Sequence, residues 1–153
     1  MVEWQKKECY DLTSMVEKEY LVPGDDINAL GFASSDVKNT LKSLGVSPSV
    51  IKRTAVSMYE AEINTAIHGG GGKGFVKIAP PTITIIFEDS GPGIPDIPKA
   101  MTEGFSTAPD HIREMGFGAG MGLPNIKRNC DDLQIFSEVG KGTKIVITIN
   151  LEG

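Results

Sequence analysis

Cysteine is scarce. The 153 residues hold two, Cys9 and Cys130, far apart, in no CxxC and with no histidine at ligand spacing. That excludes a disulfide scaffold and a cysteine-based metal centre, and leaves two free thiols suited to a reducing compartment. Long apolar runs are missing as well. A stretch such as Ile83 to Phe87 falls far short of the roughly 20 residues that a membrane span needs. The start, Met1-Val2-Glu3-Trp4, has neither a basic opening nor an apolar stretch, so no secretory signal is expected and the protein is expected in the cytoplasm. Basic charge is also short. Fifteen Lys and Arg face twenty Asp and Glu, for a net charge of −5, and no basic stripe stands out. Nucleic acid is a poor partner for such a surface. No internal repeat is visible.

What remains is an ordinary globular chain with AVILMFWYC at 40% and DEKR at 23%. Its length suits one domain that folds without staples. Glycine is the excess: average usage of about 7% would give about eleven, and there are 18. Twelve of them lie between Gly69 and Gly122, eleven of these in knots at Gly69 to Gly74, Gly91 to Gly93 and Gly116 to Gly122. Flexible linkers would bring serine with them; here charged and apolar residues accompany the glycines. Backbone brought close to a ligand is the better reading.

Periodicity orders the elements. Glu19 to Pro23 reads as a short strand, Ala29 to Leu44 as a helix closed by Gly45, and Pro48 to about Ile67 as a longer helix stopped by the glycines. Strands follow at Phe75 to Ala79 and Thr82 to Phe87 around Pro80-Pro81. Then come a short helix at Ile97 to Thr102, a loop of about fourteen residues, and a helix at Leu123 to Cys130 opened by Pro124. Strands at Leu133 to Ser137 and Thr143 to Leu151 close the chain. The order implies an α+β, two-layer sandwich with a mostly antiparallel mixed sheet and helices on one face. Residues 1–17 stand apart as an extension to a domain spanning 18–153.

The familiar phosphate motifs fail on spacing. A P-loop ending at Gly72-Lys73 needs Gly at 67 and Ser or Thr at 74, where Ile67 and Gly74 stand. A dinucleotide fingerprint from Gly116 or Gly118 needs Gly at 121 or 123, where Met121 and Leu123 stand. A different set of four parts fits. In "EAEINTAIH", Glu60 and Asn64 share one helix face at i, i+4. A carboxylate that orients a hydroxyl, beside an amide oxygen that ligates magnesium, suits phosphoryl transfer. Glu62, two residues along, points to another side. In "EDSGPGI", Asp89 leaves a strand into Gly91 and Gly93, as an acceptor for an adenine amino group or simply as an Asx turn. "GFGAGMGL" opens a helix whose unpaired amides favour a triphosphate. "GKGT" places Thr143 at the start of the last strand.

This set resembles the Bergerat-fold ATPases (the GHKL superfamily), and more closely the small bacterial serine kinases of the anti-sigma and stressosome switches, over about residues 18 to 151. The resemblance implies a protein serine/threonine kinase that uses ATP and Mg2+. It makes Glu60 the general base, Asn64 the magnesium ligand and Asp89 the adenine reader. Gly91 and Gly93 shape the adenine pocket. Gly118, Gly120 and Gly122, with Met121 among them, form the phosphate cradle, and Thr143 is a second adenine contact. The loop from Gly104 to Gly118 becomes a lid. Sigma-binding members commonly carry Arg-Ser before "GMG", where this chain has Gly118-Ala119. That departure favours a STAS-domain protein as substrate over a sigma factor. The alternatives are an ATP-gated anti-sigma binding module with little catalysis, and a detached histidine-kinase catalytic domain. A homodimer stays open. His68 reads as a helix-end group, and Gly69 to Gly72 as a flexible connection.

Overall fold

The computed structural model describes residues 15–102 and 122–152. Five strands, β1 (Val16–Val22), β2 (Gly72–Ala79), β3 (Thr82–Asp89), β4 (Asp132–Glu138) and β5 (Gly142–Asn150), form one sheet in the order β1-β2-β3-β5-β4. Every pairing is antiparallel. β4 runs parallel to β3, but β5 inserts between them and removes the parallel contact that a mixed sheet would have. The expected α+β sandwich is thus present, with its sheet antiparallel throughout the described residues.

Alternation decides which side of each strand meets the helices. Val76, Ile78, Ile83, Ile85, Phe87, Ile145, Ile147 and Ile149 are all buried on the inner face. Over them lie α1 (Phe32–Ser43), α2 (Pro48–Ile63) and α4 (Gly122–Asn129), while α3 is the single turn Ile97–Ala100. α2 is the central helix, packed on α1 and α4 and crossing β3 and β5. Its Val50, Ile51, Met58 and Ala61 join Val37 and Leu41 of α1 and Ile126 of α4 in the core. No helix among the described residues is long and apolar enough to cross a membrane.

Three departures from the periodic reading have physical causes. β1 begins at Val16, earlier than Glu19, because Lys18 at an inward position finds an ion pair with Asp36 (2.9 Å), which also accepts from the Tyr20 hydroxyl (2.7 Å). The first helix starts at Phe32, since Gly31 takes a positive φ of 98° and separates it from a 3-10 turn at Ile27–Ala29. The long helix widens into a π turn at Asn64–His68, with Gly69 N donating to Asn64 O (3.1 Å). There the Thr65 hydroxyl takes the Ala61 carbonyl (2.9 Å), a side-chain bond that competes with the helix ladder where the turn changes.

Two polar ties hold the helical layer. Arg53 of α2 donates to Asn129 O (3.1 Å) and to Asp131 (2.9 Å), whose carboxylate also accepts from Asn150 N (2.7 Å). At the other end Glu62, 3% exposed, accepts from the backbone amides of Gly31 (2.9 Å) and Ser34 (3.3 Å). It caps the start of α1 from a neighbouring helix, answering both its unpaired amides and its dipole. Burial raises the Glu62 pKa and these amides oppose the rise.

Glu62→Ala strands those amides and is expected to cost about 2–4 kcal/mol in urea denaturation. Because the folded pKa is raised, the carboxyl's contribution is greatest below its unfolded pKa and declines as pH rises through the folded one. The deficit of the variant therefore widens toward acid. A loss under about 0.5 kcal/mol, the scale of an ordinary surface substitution, would overturn this account of the cap.

Candidate functional site

The strand registers align Gly72, Asp89, Thr143 and Ser137 in one row across the end of the sheet. Asp89 lies two residues beyond Phe87 and Thr143 two before Ile145. Alternation thus carries the inner face outward from core to polar groups. Asp89 Oδ1 accepts from Gly91 N (2.9 Å), so the Asx turn forms. A further backbone hydrogen bond to the carboxylate comes from Thr143. Burial raises the Asp89 pKa, while those two amides and nearby His68 hold it down. The net direction is upward.

Glycines close around this carboxylate. A Cβ on Gly69 would stand 2.3 Å from Asp89 Cγ, and one on Gly142 2.1 Å from Asp89 O. Gly91 approaches the Gly69 backbone (2.7 Å from a Cβ to Cα), and Gly93, at φ 80°, approaches Glu138 O (2.4 Å). In the connection expected to be flexible, Gly69 packs on Asp89, Gly71 on Gly24 and Val22, and Gly72 on Glu88, while Gly70 meets nothing within 4 Å. His68 ends the π turn next to it, its pKa lowered by burial against the pull of Asp89.

Beside the row opens a cleft of about 1020 Å³, lined by Gly69, Asp89, Ile97, Ile135, Ser137 and Thr143 among others. Ser137 Oγ accepts from Ile94 N (2.7 Å) and lies 3.1 Å from Gly142 O and 2.9 Å from Thr143 Oγ1. If Ser137 donates to the Gly142 carbonyl, Thr143 donates to Ser137, and the Thr143 lone pairs remain to accept from a ligand. The lining sets Ile97, Ile135 and Phe136 among charged groups such as Lys73, Glu88, Lys141 and Lys144, so the cleft is a polar one with an apolar strip.

The other candidates lie on α2 and at the start of α4, outside the lining of this cleft. Glu60 and Asn64 keep the α-helical hydrogen bond between their backbones, Asn64 N to Glu60 O, and so share a face. Glu60 faces α4: its Oε2 accepts from Asn125 Nδ2 (2.8 Å), and its Oε1 lies 3.6 Å from where a Cβ on Gly122 would stand. Gly118, Gly120 and Met121, with the whole of the lid at 104–118, fall outside the described residues. Glu62 points away to α1, as the helical offset implies. Sequence reading passed over Gly69, Ser137 and Asn125. The glycine knot was the only signal for the first, and nothing local marks the other two.

Comparison with known proteins finds similar chains. The model of the family described as histidine kinase-, DNA gyrase B-, and HSP90-like ATPase matches residues 30–153. The serine/threonine-protein kinase RsbT of Bacillus subtilis is 37% identical over 112 residues, which cover 71% of this chain and 78% of that protein. An anti-sigma F factor of Clostridium acetobutylicum is 30% identical over 141 residues, covering 89% of this chain and 93% of that one. A solved structure of RsbU and RsbW domains from Mycobacterium tuberculosis aligns over 88% of this chain with a TM-score of 0.61 at 15% identity. The chain spans 32% of that structure's length, and the likeness is one of fold.

Asp89→Asn keeps the Asx turn but offers a donor where an adenine amino group needs an acceptor. It is expected to weaken ATP and ADP in calorimetry at least tenfold while GTP, already poor, changes little. In the wild type, affinity should fall on acidification, with a midpoint shifted upward by burial of the Asp89 carboxyl, because the ionised carboxylate is the stronger acceptor. Unchanged ATP affinity in the variant would sink the assignment.

Proposed function

The chain belongs to the family of histidine kinase-, DNA gyrase B- and HSP90-like ATPases, and on that premise we propose that it is an ATP-dependent protein serine/threonine kinase of the anti-sigma switch type. The relative named a serine/threonine-protein kinase supports transfer, and those named anti-sigma F factors support a place in sigma-factor control. The observation that carries the reading is Glu60, whose Oε1 stands 3.6 Å from where a Cβ on Gly122 would lie, at the start of α4.

In this reading ATP enters with its adenine amino group donating to Asp89 and its ring beside Gly91 and Gly93, and Thr143 supplies the second polar contact. The phosphates run toward the glycines that open α4, whose helix start favours anions. The acceptor is a Ser or Thr hydroxyl of a STAS-domain protein. Its oxygen forms the new bond to the γ-phosphorus as the bond to the β–γ bridging oxygen breaks and ADP leaves. The hydroxyl proton passes to Glu60 Oε1.

Among the described residues no group of three or more His, Cys, Asp or Glu could hold a metal ion. An amide oxygen such as that of Asn64 is a hard donor of the kind magnesium takes, and the ion draws most of its other ligands from phosphates and water. Asn64 would hold it through its amide oxygen, and the bound ion would neutralise charge on the phosphates.

Glu60→Gln is expected to retain nucleotide binding and to lower transfer from labelled ATP about 10²-fold or more. Asn64→Ala should instead abolish the magnesium dependence of ATP binding. Wild-type transfer by Glu60→Ala, with loss in a folded Glu62→Ala, would move the base to Glu62.

The anti-sigma F relatives favour one rival, an ATP-gated clamp. Mass spectrometry of the STAS-domain protein encoded nearest this gene, after incubation with ATP, separates the two. A kinase leaves phosphate on its Ser or Thr and then binds the product less tightly, since about −2 charge is added beside an acidic protein. An unmodified partner held more tightly with ATP than with ADP supports the clamp. Acid-labile label on histidine supports a detached histidine-kinase domain.

A further inference from the structure

A general base needs one oxygen aimed at the proton it takes, yet a glutamate carboxylate on a helix turns easily about its last torsion. Here its two oxygens are not equivalent. Oε2 is occupied by the Asn125 amide at 2.8 Å, and Oε1 is the one nearest Gly122. Asn125 sits three residues beyond Gly122 on α4, so it rides on the helix that the phosphate motif opens.

What orients Asn125 is one turn further on. Arg128 Nη2 donates to Asn125 Oδ1. A carboxamide has an acceptor end and a donor end. With the acceptor end turned to a guanidinium, the NH2 end is left for the carboxylate. A reversed amide would set its oxygen against Glu60 and its NH2 against a cation, so charge settles the orientation. The guanidinium also polarises the amide and strengthens its N–H as a donor. Asn129 Nδ2 donates to the Asn125 carbonyl (2.8 Å) and keeps this last turn of α4 in place.

The geometry points to Asn125, oriented by Arg128, as a positioning residue for Glu60: it occupies Oε2 so that Oε1 meets the acceptor hydroxyl. The base is thereby tied to the helix that holds the phosphates, and a displacement of α4 carries the carboxylate with it. This inference rests on the reading of Glu60 as general base.

The test is steady-state transfer from [γ-32P]ATP to the same STAS-domain protein, using the full chain and a double-mutant cycle. Asn125→Ala is expected to lower kcat about tenfold with the KM for ATP unchanged. Arg128→Gln should give a smaller loss of about threefold in kcat. Asn125→Asp, which keeps the shape and replaces the donor by an anion, should lose more than Asn125→Ala. In a Glu60→Gln background none of these should cost anything further, because there is no carboxylate left to aim. A structural role would lower the rate in both backgrounds or move KM, and either result overturns the proposal. If Asn125→Ala unfolds, the isosteric Asn125→Asp carries the same cycle. Wild-type kcat in Glu60→Gln overturns the base assignment and this inference with it. A full Glu60→Gln defect with an additive Asn125 loss overturns the positioning alone.

Discussion

A single buried carboxylate ties the first two helices of the layer together. Glu62 leaves α2 sideways and accepts from the first amides of α1. A helix start buried without such a partner would be costly, so the two helices are held at the residue where they cross. α2 then has no rotational freedom left. With Glu62 committed to α1, and Met58 and Ala61 committed to the core, Glu60 has to face α4. The chemical face of α2 is thus a residue of what its other faces are already doing.

The sheet contributes in the same indirect way. Alternation that buries Phe87 and Ile145 puts Asp89 and Thr143 on the same side one step further out, where the apolar layer ends. Polar groups there meet water and ligand on one side and packed core on the other. The rise in the Asp89 pKa comes from that border position. A rigid row of paired backbone holds these two groups, and such support gives a binding site its accuracy.

Much of this was legible along the chain. β-branched alternation marked β3 and β5, and Pro48 and Pro124 marked helix starts within a residue or two. The pairing of Glu60 with Asn64 followed from helical spacing. Other features were not legible because their cause lies in distant residues. Lys18 reads as surface until it is seen to meet Asp36, which also accepts from Tyr20. Glu62 reads as a spare carboxylate until α1 is placed over it. Asn125 is one polar residue in a short helix until Glu60 appears opposite. The run Gly69 to Gly72 is ambiguous for a different reason: freedom of the backbone and closeness of a neighbour both call for a missing Cβ. Composition alone cannot separate them.

That closeness bears on how such a site can change over generations. The atoms that meet Gly91 and Gly142 are backbone, and those that meet Gly69 belong to Asp89 itself. No rotamer change makes room for a methyl group at any of the three; the main chain or Asp89 itself must move. Single substitutions there meet a wall, so sequence drift around this cleft would proceed by replacing whole connections, in length and course together. Positions such as Ile97 and Ile135, which touch the same cleft through side chains alone, are the ones where drift one residue at a time remains open.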